Sequence, residues 1–338
     1  MTRAAVFITH GPHALATYYG ARALAALEAV ADVRRTAAEE PWTSGTLAAA
    51  AQGCDIIVSD RRTEGSAALM AGLPGLKAFC RCAVDIRNID LAAANAHGIL
   101  VTQASAGFMA SVSEWVIGVM VDLSRGISAS VVAHRASAAP ALTMGRELRG
   151  STVGVIGYGQ IGRYLSDLAL AFGMRVLVSD PYAEVTHSEL HKMPLQDLLA
   201  ASDYVVCLAT ATAQTENLMN AAAFAAMKPQ AFFINASRGD LVDEAALLHA
   251  LDSARIAGCA LDVGRASDQM PSLALARHPR VVATSHIGGL TLPSIEHQAL
   301  ETVRQVSDIV QGRVPLGAVN APHARRLEAW NAAQPPST

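Results

Sequence analysis

Short runs of branched apolar residues recur along the chain, separated by longer stretches whose apolar positions repeat at helical spacing. In the first third, residues 4–8 (AAVFI), 55–59 (DIIVS), 77–82 and 99–102 (ILVT) read as strands, and residues 14–30 as an alanine-rich helix. That alternation predicts a parallel α/β unit. No glycine loop of the phosphate-cradling kind occurs within it. A second series, residues 152–156, 175–179, 204–208, 231–235, 258–261 and 281–283, predicts a doubly wound sheet of about six strands ending near residue 285. Between the two series, Ser111 and Glu114 have capping-box spacing. Val112, Trp115, Val116, Val119, Met120 and Leu123 then recur at helix period, a stripe that reads as packing surface. Residues 125–150 are looser, a linker or an oligomer arm. A last helix is expected from Pro293 to Gln311, with Gly312 as its cap and Pro315 as its stop. It follows the last strand of the second series, so it is expected to cross back to the first unit. The tail at residues 334–338 is expected to fray.

The densest chemical signal lies in residues 151–182. The strand at 152–156 runs into Gly157, Gly159 and Gly162; an amphipathic helix follows, and the strand RVLVS then ends at Asp180. Each glycine has its own job. Gly157 permits a tight turn, Gly159 lets backbone approach a pyrophosphate, and Gly162 lets helix and strand pack closely. The helix start aims unpaired N–H groups at the phosphates. Asp180 stands where a carboxylate accepts from a ribose 2′-OH and repels a 2′-phosphate, so the pattern points to NAD rather than NADP.

Composition narrows the classes. A chain of 338 residues predicts two domains, and 51% hydrophobic with 16% charged residues fits packed cores. A net charge of −3 recruits neither nucleic acid nor anionic membrane. No apolar run reaches the roughly 18 residues of a membrane span, and Val6-Phe7-Ile8 is too short for a signal peptide. The five cysteines read as buried thiols of a reducing cytoplasm. Cys80 and Cys82 lack a second pair to complete a zinc set, and His187 and His191 are not in zincin order, so no metal is expected. The remaining histidines show no cluster.

The segments ELRGSTVGVIGYGQIGR, AMKPQAFFINASRGDLVDEAAL, GCALDV and ATSHIGGLT, with AAANAHGILV upstream, resemble the NAD-dependent D-2-hydroxyacid dehydrogenase family in content and order. The resemblance covers roughly residues 75–312. It implies a Rossmann sheet, residues 109–289, inserted into a smaller flavodoxin-like α/β substrate domain built from 1–108 and 290–338, with substrate in the cleft. It also implies hydride transfer between NAD(H) and a 2-hydroxy or 2-oxo acid, and a homodimer using the arm around 125–150. Cofactor contacts are implied at Gly157, Tyr158, Gly159, Gln160, Ile161, Gly162, Asp180, Pro181, Ala209, Thr210, Thr215, Ala236, Ser237, Asp262 and Gly288. Arg238 matches the family's substrate arginine, whose fork clamps a carboxylate. His286 matches its acid/base histidine, an imidazole able to take or give the C2 hydroxyl proton.

Two departures stand out. The family's glutamate partner of the histidine falls at Ser267, followed by Asp268 in place of proline. Either Asp268 (or Ser267) orients the imidazole, or His286 works without a carboxylate. The substrate-carboxylate loop reads Ala83-Val84-Asp85-Ile86-Arg87, with Ala83 and Asp85 on the usual glycines and Arg87 on a usual aspartate. Unless Arg87 or Arg61 balances Asp85, a plain small 2-oxo acid is disfavoured and a bulkier or polar acid expected. Two further readings stay open: an NAD(H)-sensing protein without turnover, and a dehydrogenase of a non-hydroxyacid such as formate or phosphite.

Overall fold

The computed structural model describes residues 3–37, 39, 41–137, 139, 142–266 and 268–332. The chain divides into two compact units, residues 1–107 with 292–338, and residues 108–291.

The first unit opens with β1 (Ala5–Ile8), α1 (Pro12–Tyr18), α2 (Ala21–Val30), β2 (Asp32–Arg34), α3 (Ser44–Ala50), β3 (Ile56–Ser59), α4 (Ala67–Gly72), β4 (Ala78–Arg81), α5 (Leu91–His97) and β5 (Leu100–Gln103). The strands form a parallel sheet in the order β2-β1-β3-β4-β5. The helix expected over 14–30 is two helices, because Gly20 takes φ +86° and turns the chain between them. β2 escaped the hydrophobic reading because it is a three-residue edge strand with two exposed charges.

The second unit runs through α6 (Met109–Arg125), α7 (Ile127–Arg135), β6 (Thr152–Ile156), α8 (Gln160–Ala171), β7 (Arg175–Ser179), β8 (Leu190–Lys192), α9 (Leu195–Ala201), β9 (Tyr204–Cys207), α10 (Ala221–Ala226), β10 (Phe232–Asn235), α11 (Glu244–Asp252), β11 (Gly258–Leu261), α12 (Leu273–Ala276) and β12 (Val281–Ala283). Its seven parallel strands are ordered β12-β11-β10-β9-β6-β7-β8. The extra strand over the expected six is β8, in the stretch that holds His187 and His191. Residues 188–189 form a turn between His187 and β8, so the two histidines do not share a helix face. Ser111 does not cap α6: the helix starts at Met109, and the Ser111 hydroxyl instead bonds the Thr291 hydroxyl at 2.6 Å. The looser stretch after residue 125 begins with α7, which buries no residue of its own.

The chain then returns to the first unit with α13 (Leu292–Val310) and α14 (Arg325–Ala332). Side-chain amides fasten this return. Asn320 donates to the Ile99 carbonyl at 2.9 Å and accepts from the Val101 N–H at 2.7 Å. Gln305 accepts from the Thr102 hydroxyl at 2.7 Å and donates to the Gln103 carbonyl at 2.8 Å. Apolar residues of α13, among them Ala299, Val306 and Ile309, join those of α2 and of β1, β3 and β4 in one cluster. The expected frayed tail, residues 334–338, lies outside the described residues.

His10, two residues past β1, is buried with its ring edge against Tyr19, and its Nδ1 has no hydrogen-bond partner among the described residues. Burial, against the opposing pull of Asp60 and with help from Arg81 and Arg62, lowers its pKa to about 4. A depressed histidine pKa means that unfolding takes up a proton between the unfolded value and the folded one. Stability is therefore full above about pH 6.5 and falls as the pH drops towards about 4. His10→Gln should flatten this acid slope by about 2 kcal/mol between pH 7 and pH 4.5, read from urea midpoints at the two pH values. Equal slopes for the two proteins would refute the assignment.

Candidate active site

The site in the second unit follows from strand order. β6 is flanked by β7 on one side and β9 on the other, so the order in which strands are added reverses between β6 and β9 while all strands stay parallel. At such a switch point the loops beyond the strand ends diverge and leave room for a ligand. The loops that carry the expected residues all lie at that carboxyl edge: Gly157 after β6, Asp180 after β7, Ala209 after β9, Arg238 after β10, Asp262 after β11 and His286 after β12.

The three glycines differ in what surrounds them. Gly157 has φ +96°, and a Cβ there would lie 2.6 Å from the Ala209 nitrogen. At Gly162 a Cβ would lie 2.3 Å from the Gly157 carbonyl oxygen, so α8 packs directly on the turn. At Gly159 a Cβ would meet no atom within 4 Å, and no side chain caps α8. An open glycine at an uncapped helix start is the surface that a pyrophosphate needs. Gln160 and Ile161 form the first turn behind it. Tyr158 is buried, with the Arg163 guanidinium 4.4 Å above its ring.

Asp180 both shapes the turn and faces it. One carboxylate oxygen accepts from the Tyr158 N–H at 2.8 Å, the other from Tyr182 at 2.8 Å and Ala183 at 2.9 Å. Burial would raise its pKa, but these donors, with Lys192 nearby, outweigh burial and hold it below the ordinary value. A carboxylate offers about four acceptor sites, so one remains for a ribose hydroxyl. Pro181 follows it, exposed. The loop after β9 is braced by hydroxyls of its own and of the loop after β10: Thr215 donates to the Thr210 carbonyl at 2.7 Å, and Ser237 to the Ala209 carbonyl at 2.6 Å. Ala236 donates back to the Cys207 carbonyl at 3.4 Å.

Arg238 sits on a turn held by Asn235, whose amide donates to the Arg238 carbonyl at 2.9 Å and accepts from the Ser237 N–H at 3.1 Å. The Arg238 guanidinium donates to the Ser237 carbonyl at 2.7 Å. His286 has φ +57°, a left-handed conformation that costs a non-glycine residue about 1–3 kcal/mol. Asp262 holds it there. Its carboxylate is 3% exposed and accepts from the Thr284 hydroxyl at 2.6 Å and from the N–H groups of Ile287 and Gly288, each at 2.8 Å. Asp262, expected as a cofactor contact, is thus the brace of the histidine loop, a role its place after a strand did not reveal. β11 lies between β10 and β12, so Arg238 and His286 rise on either side of Asp262, from strands about 10 Å apart. Asp268 is exposed and accepts from the Met270 N–H at 3.0 Å. Ser267 lies outside the described residues.

In the first unit, the carboxylate loop follows β4. Arg81 fills the space beneath it: one Nη donates to the Asp60 carbonyl, the other to the Thr63 carbonyl and the Asn88 side chain, both at 2.7 Å. The N–H groups of Ala83 and Val84 make no hydrogen bond among the described residues. Arg87 pairs with Asp85 through two nitrogens, at 2.8 to 3.1 Å. The counter-charge that the sequence left in question is therefore Arg87. It removes the charge argument against a small 2-oxo acid. Among the described residues no group of His, Cys, Asp and Glu could hold a metal ion.

The geometry of Asp180 makes cofactor choice testable. Asp180→Asn keeps one acceptor for the turn but removes the charge. NADH affinity should fall about tenfold and the preference for NADH over NADPH should narrow, measured by fluorescence titration of each nucleotide. An unchanged ratio would remove Asp180 from cofactor selection.

Comparison with known proteins identifies the family of the second unit. Residues 117–288, about half of the chain, match the model of the D-isomer specific 2-hydroxyacid dehydrogenase NAD binding domain. D-3-phosphoglycerate dehydrogenase of Synechocystis is 33% identical over 251 residues, 73% of this chain and 45% of the relative. D-3-phosphoglycerate dehydrogenase 2 of Saccharomyces cerevisiae is 35% identical over 257 residues, 72% of this chain and 55% of the relative. The chain thus spans about half the length of the curated relatives it matches. Among solved structures, the apo form of D-lactate dehydrogenase from Escherichia coli superposes with a TM-score of 0.83 at 25% identity, over 93% of this chain and 99% of that one. With its parallel α/β sheets and its NAD-binding unit, the chain belongs to the D-isomer specific 2-hydroxyacid dehydrogenase family.

Proposed function

We propose that the chain is an NAD-dependent oxidoreductase that interconverts a 2-hydroxy acid and its 2-oxo acid. One observation carries the reading: Arg238 and His286 stand on either side of the buried, hydrogen-bonded Asp262, at the same sheet edge as the glycine turn and Asp180. A cation and an imidazole so placed do different work. The guanidinium fork takes the substrate carboxylate through two parallel hydrogen bonds, which fixes C2. The imidazole removes the C2 hydroxyl proton in oxidation and returns one to the C2 oxygen in reduction, an effect of about 10²–10⁴-fold in rate. The nicotinamide, when bound, supplies or accepts the hydride. In the first unit, the N–H groups of Ala83 and Val84 are donors suited to an anion, and the Arg87 charge offsets that of Asp85.

D-3-phosphoglycerate and D-lactate dehydrogenases are among the relatives, so the substrate class is a small to medium 2-oxo acid. The five buried thiols suit a reducing cytoplasm. The exposed apolar face of α7, with Ile127, Val131 and Val132, supports a homodimer, and a sedimentation coefficient of a single chain would remove that part of the reading.

Consumption of NADH with a panel of 2-oxo acids tests the whole reading. A protein that binds NADH and turns over none of them is a sensor, and one that oxidises formate or phosphite instead is a different enzyme. Arg238→Lys should raise the KM for the oxo acid about tenfold to a hundredfold while NADH affinity holds, because lysine cannot form the paired contact. The role of Asp268 has its own test. If this carboxylate orients His286, Asp268→Asn should lower the upper pKa of the kcat/KM profile for reduction, because loss of the charge makes the imidazolium easier to deprotonate. A profile that does not move leaves His286 to work without it.

A further inference from the structure

Three loops meet at the carboxyl edge of β9, β10 and β11, and one side chain joins all three. Arg265, on the loop after β11, donates through Nε to the Val242 carbonyl at 3.0 Å and through Nη2 to the Asp240 carbonyl at 2.9 Å. The same Nη2 also bonds the Asn217 side-chain oxygen, and Nη1 lies 3.6 Å from the Glu216 carboxylate. Glu216 and Asn217 belong to the loop after β9, which is itself laced to the loop after β10: Asn217 donates to the Asp240 carbonyl at 2.9 Å, and Met219 to that of Leu241 at 2.9 Å. The backbones touch as well. A Cβ on Gly239 would lie 2.1 Å from the carbonyl carbon of Gly264, so the residue after Arg238 rests directly on the residue before Arg265.

We infer that Arg265 is a positioning residue for the substrate clamp: by tying the turn just after Arg238 to the loops on either side, it sets where the Arg238 guanidinium meets the substrate carboxylate. The inference rests on the assignment of Arg238 to that carboxylate. The chemistry asks for arginine. Three acceptors on two loops are met by one planar fork, a geometry that an ammonium cannot reproduce with a single point charge. Without Arg265 the Val242 carbonyl and the Asn217 side-chain oxygen lose this donor and the Asp240 carbonyl keeps only the Asn217 N–H, which would let the turn relax, and a displacement of about 1 Å at a clamp costs up to about a hundredfold in productive binding.

The test uses the NADH-loaded protein and oxamate, an unreactive 2-oxo acid analogue, with binding read from NADH fluorescence. Arg265→Ala should weaken oxamate about tenfold or more. NADH affinity should fall much less than oxamate affinity, because the glycine turn and Asp180 lie outside the tie and only the loops after β9 and β10 are shared with the cofactor. Arg265→Lys should recover little of the loss, and added guanidinium chloride at low, non-denaturing concentration should restore oxamate binding to Arg265→Ala. Hydrogen exchange should quicken over residues 239–243 and 264–270 and stay unchanged over 157–163. Unchanged oxamate affinity in the variant overturns the inference. So does a parallel loss of NADH and oxamate binding, which marks a general fold defect. Failure of the wild-type protein to bind oxamate or to turn over any 2-oxo acid overturns the proposed function, and this inference with it.

Discussion

The buried carboxylate of Asp262 is the constraint on which the catalytic edge depends. Three donors meet its two oxygens, one hydroxyl and two backbone N–H groups, all within the loop that carries His286. A bare carboxylate in so dry a place would be expensive, and the three bonds offset that cost. They also hold His286 in a left-handed backbone that it would not otherwise keep. The backbone from which the imidazole projects is thus held by a residue just past the neighbouring strand. The same logic recurs one strand over, where the Asn235 side chain braces the Arg238 turn, and at Asp180, whose carboxylate gathers the N–H groups of two turns.

The first unit depends on a different kind of tie. Its core is completed by a segment that arrives some 200 residues later in the chain, fastened by two amide side chains, Asn320 and Gln305, beside backbone bonds from Gln103 to Gly317 and from Val319 to Val101. An amide suits that task because it donates and accepts at once, satisfying a strand's N–H and C=O groups together. Beneath the carboxylate loop, Arg81 is wholly buried and spends both Nη groups on backbone carbonyls and Asn88. It shapes the loop from below. The paired Asp85 and Arg87 change the loop's meaning: an acid that looks hostile to an anion in the sequence is matched by its neighbour two residues on.

Much of the molecule was legible before any coordinates. The apolar runs marked ten of the twelve strands, because a strand buried on both faces must be apolar along its whole length. The two that escaped, β2 and β8, are short edge strands with exposed charges, where that demand lapses. The glycine turn and Asp180 were singled out by their offsets from strand ends, Arg238 and His286 by the family resemblance, and all of them lie just past strand ends of one sheet. The helix over 14–30 and the cap at Ser111 were misread because helical periodicity does not register a single glycine turn or the exact first residue of a helix.

The sequence by itself determined the strands, the nucleotide turn and the chemical types at the sheet edge, since these follow from local periodicity and from residues near one another in the chain. Only the tertiary structure decided how those residues are held. That Asp262 serves the His286 loop, that Arg265 joins three loops and that Arg87 answers Asp85 are matters of which side chain reaches which acceptor. Hydrogen bonds are directional over about 3 Å, and a linear pattern carries no information on direction across strands.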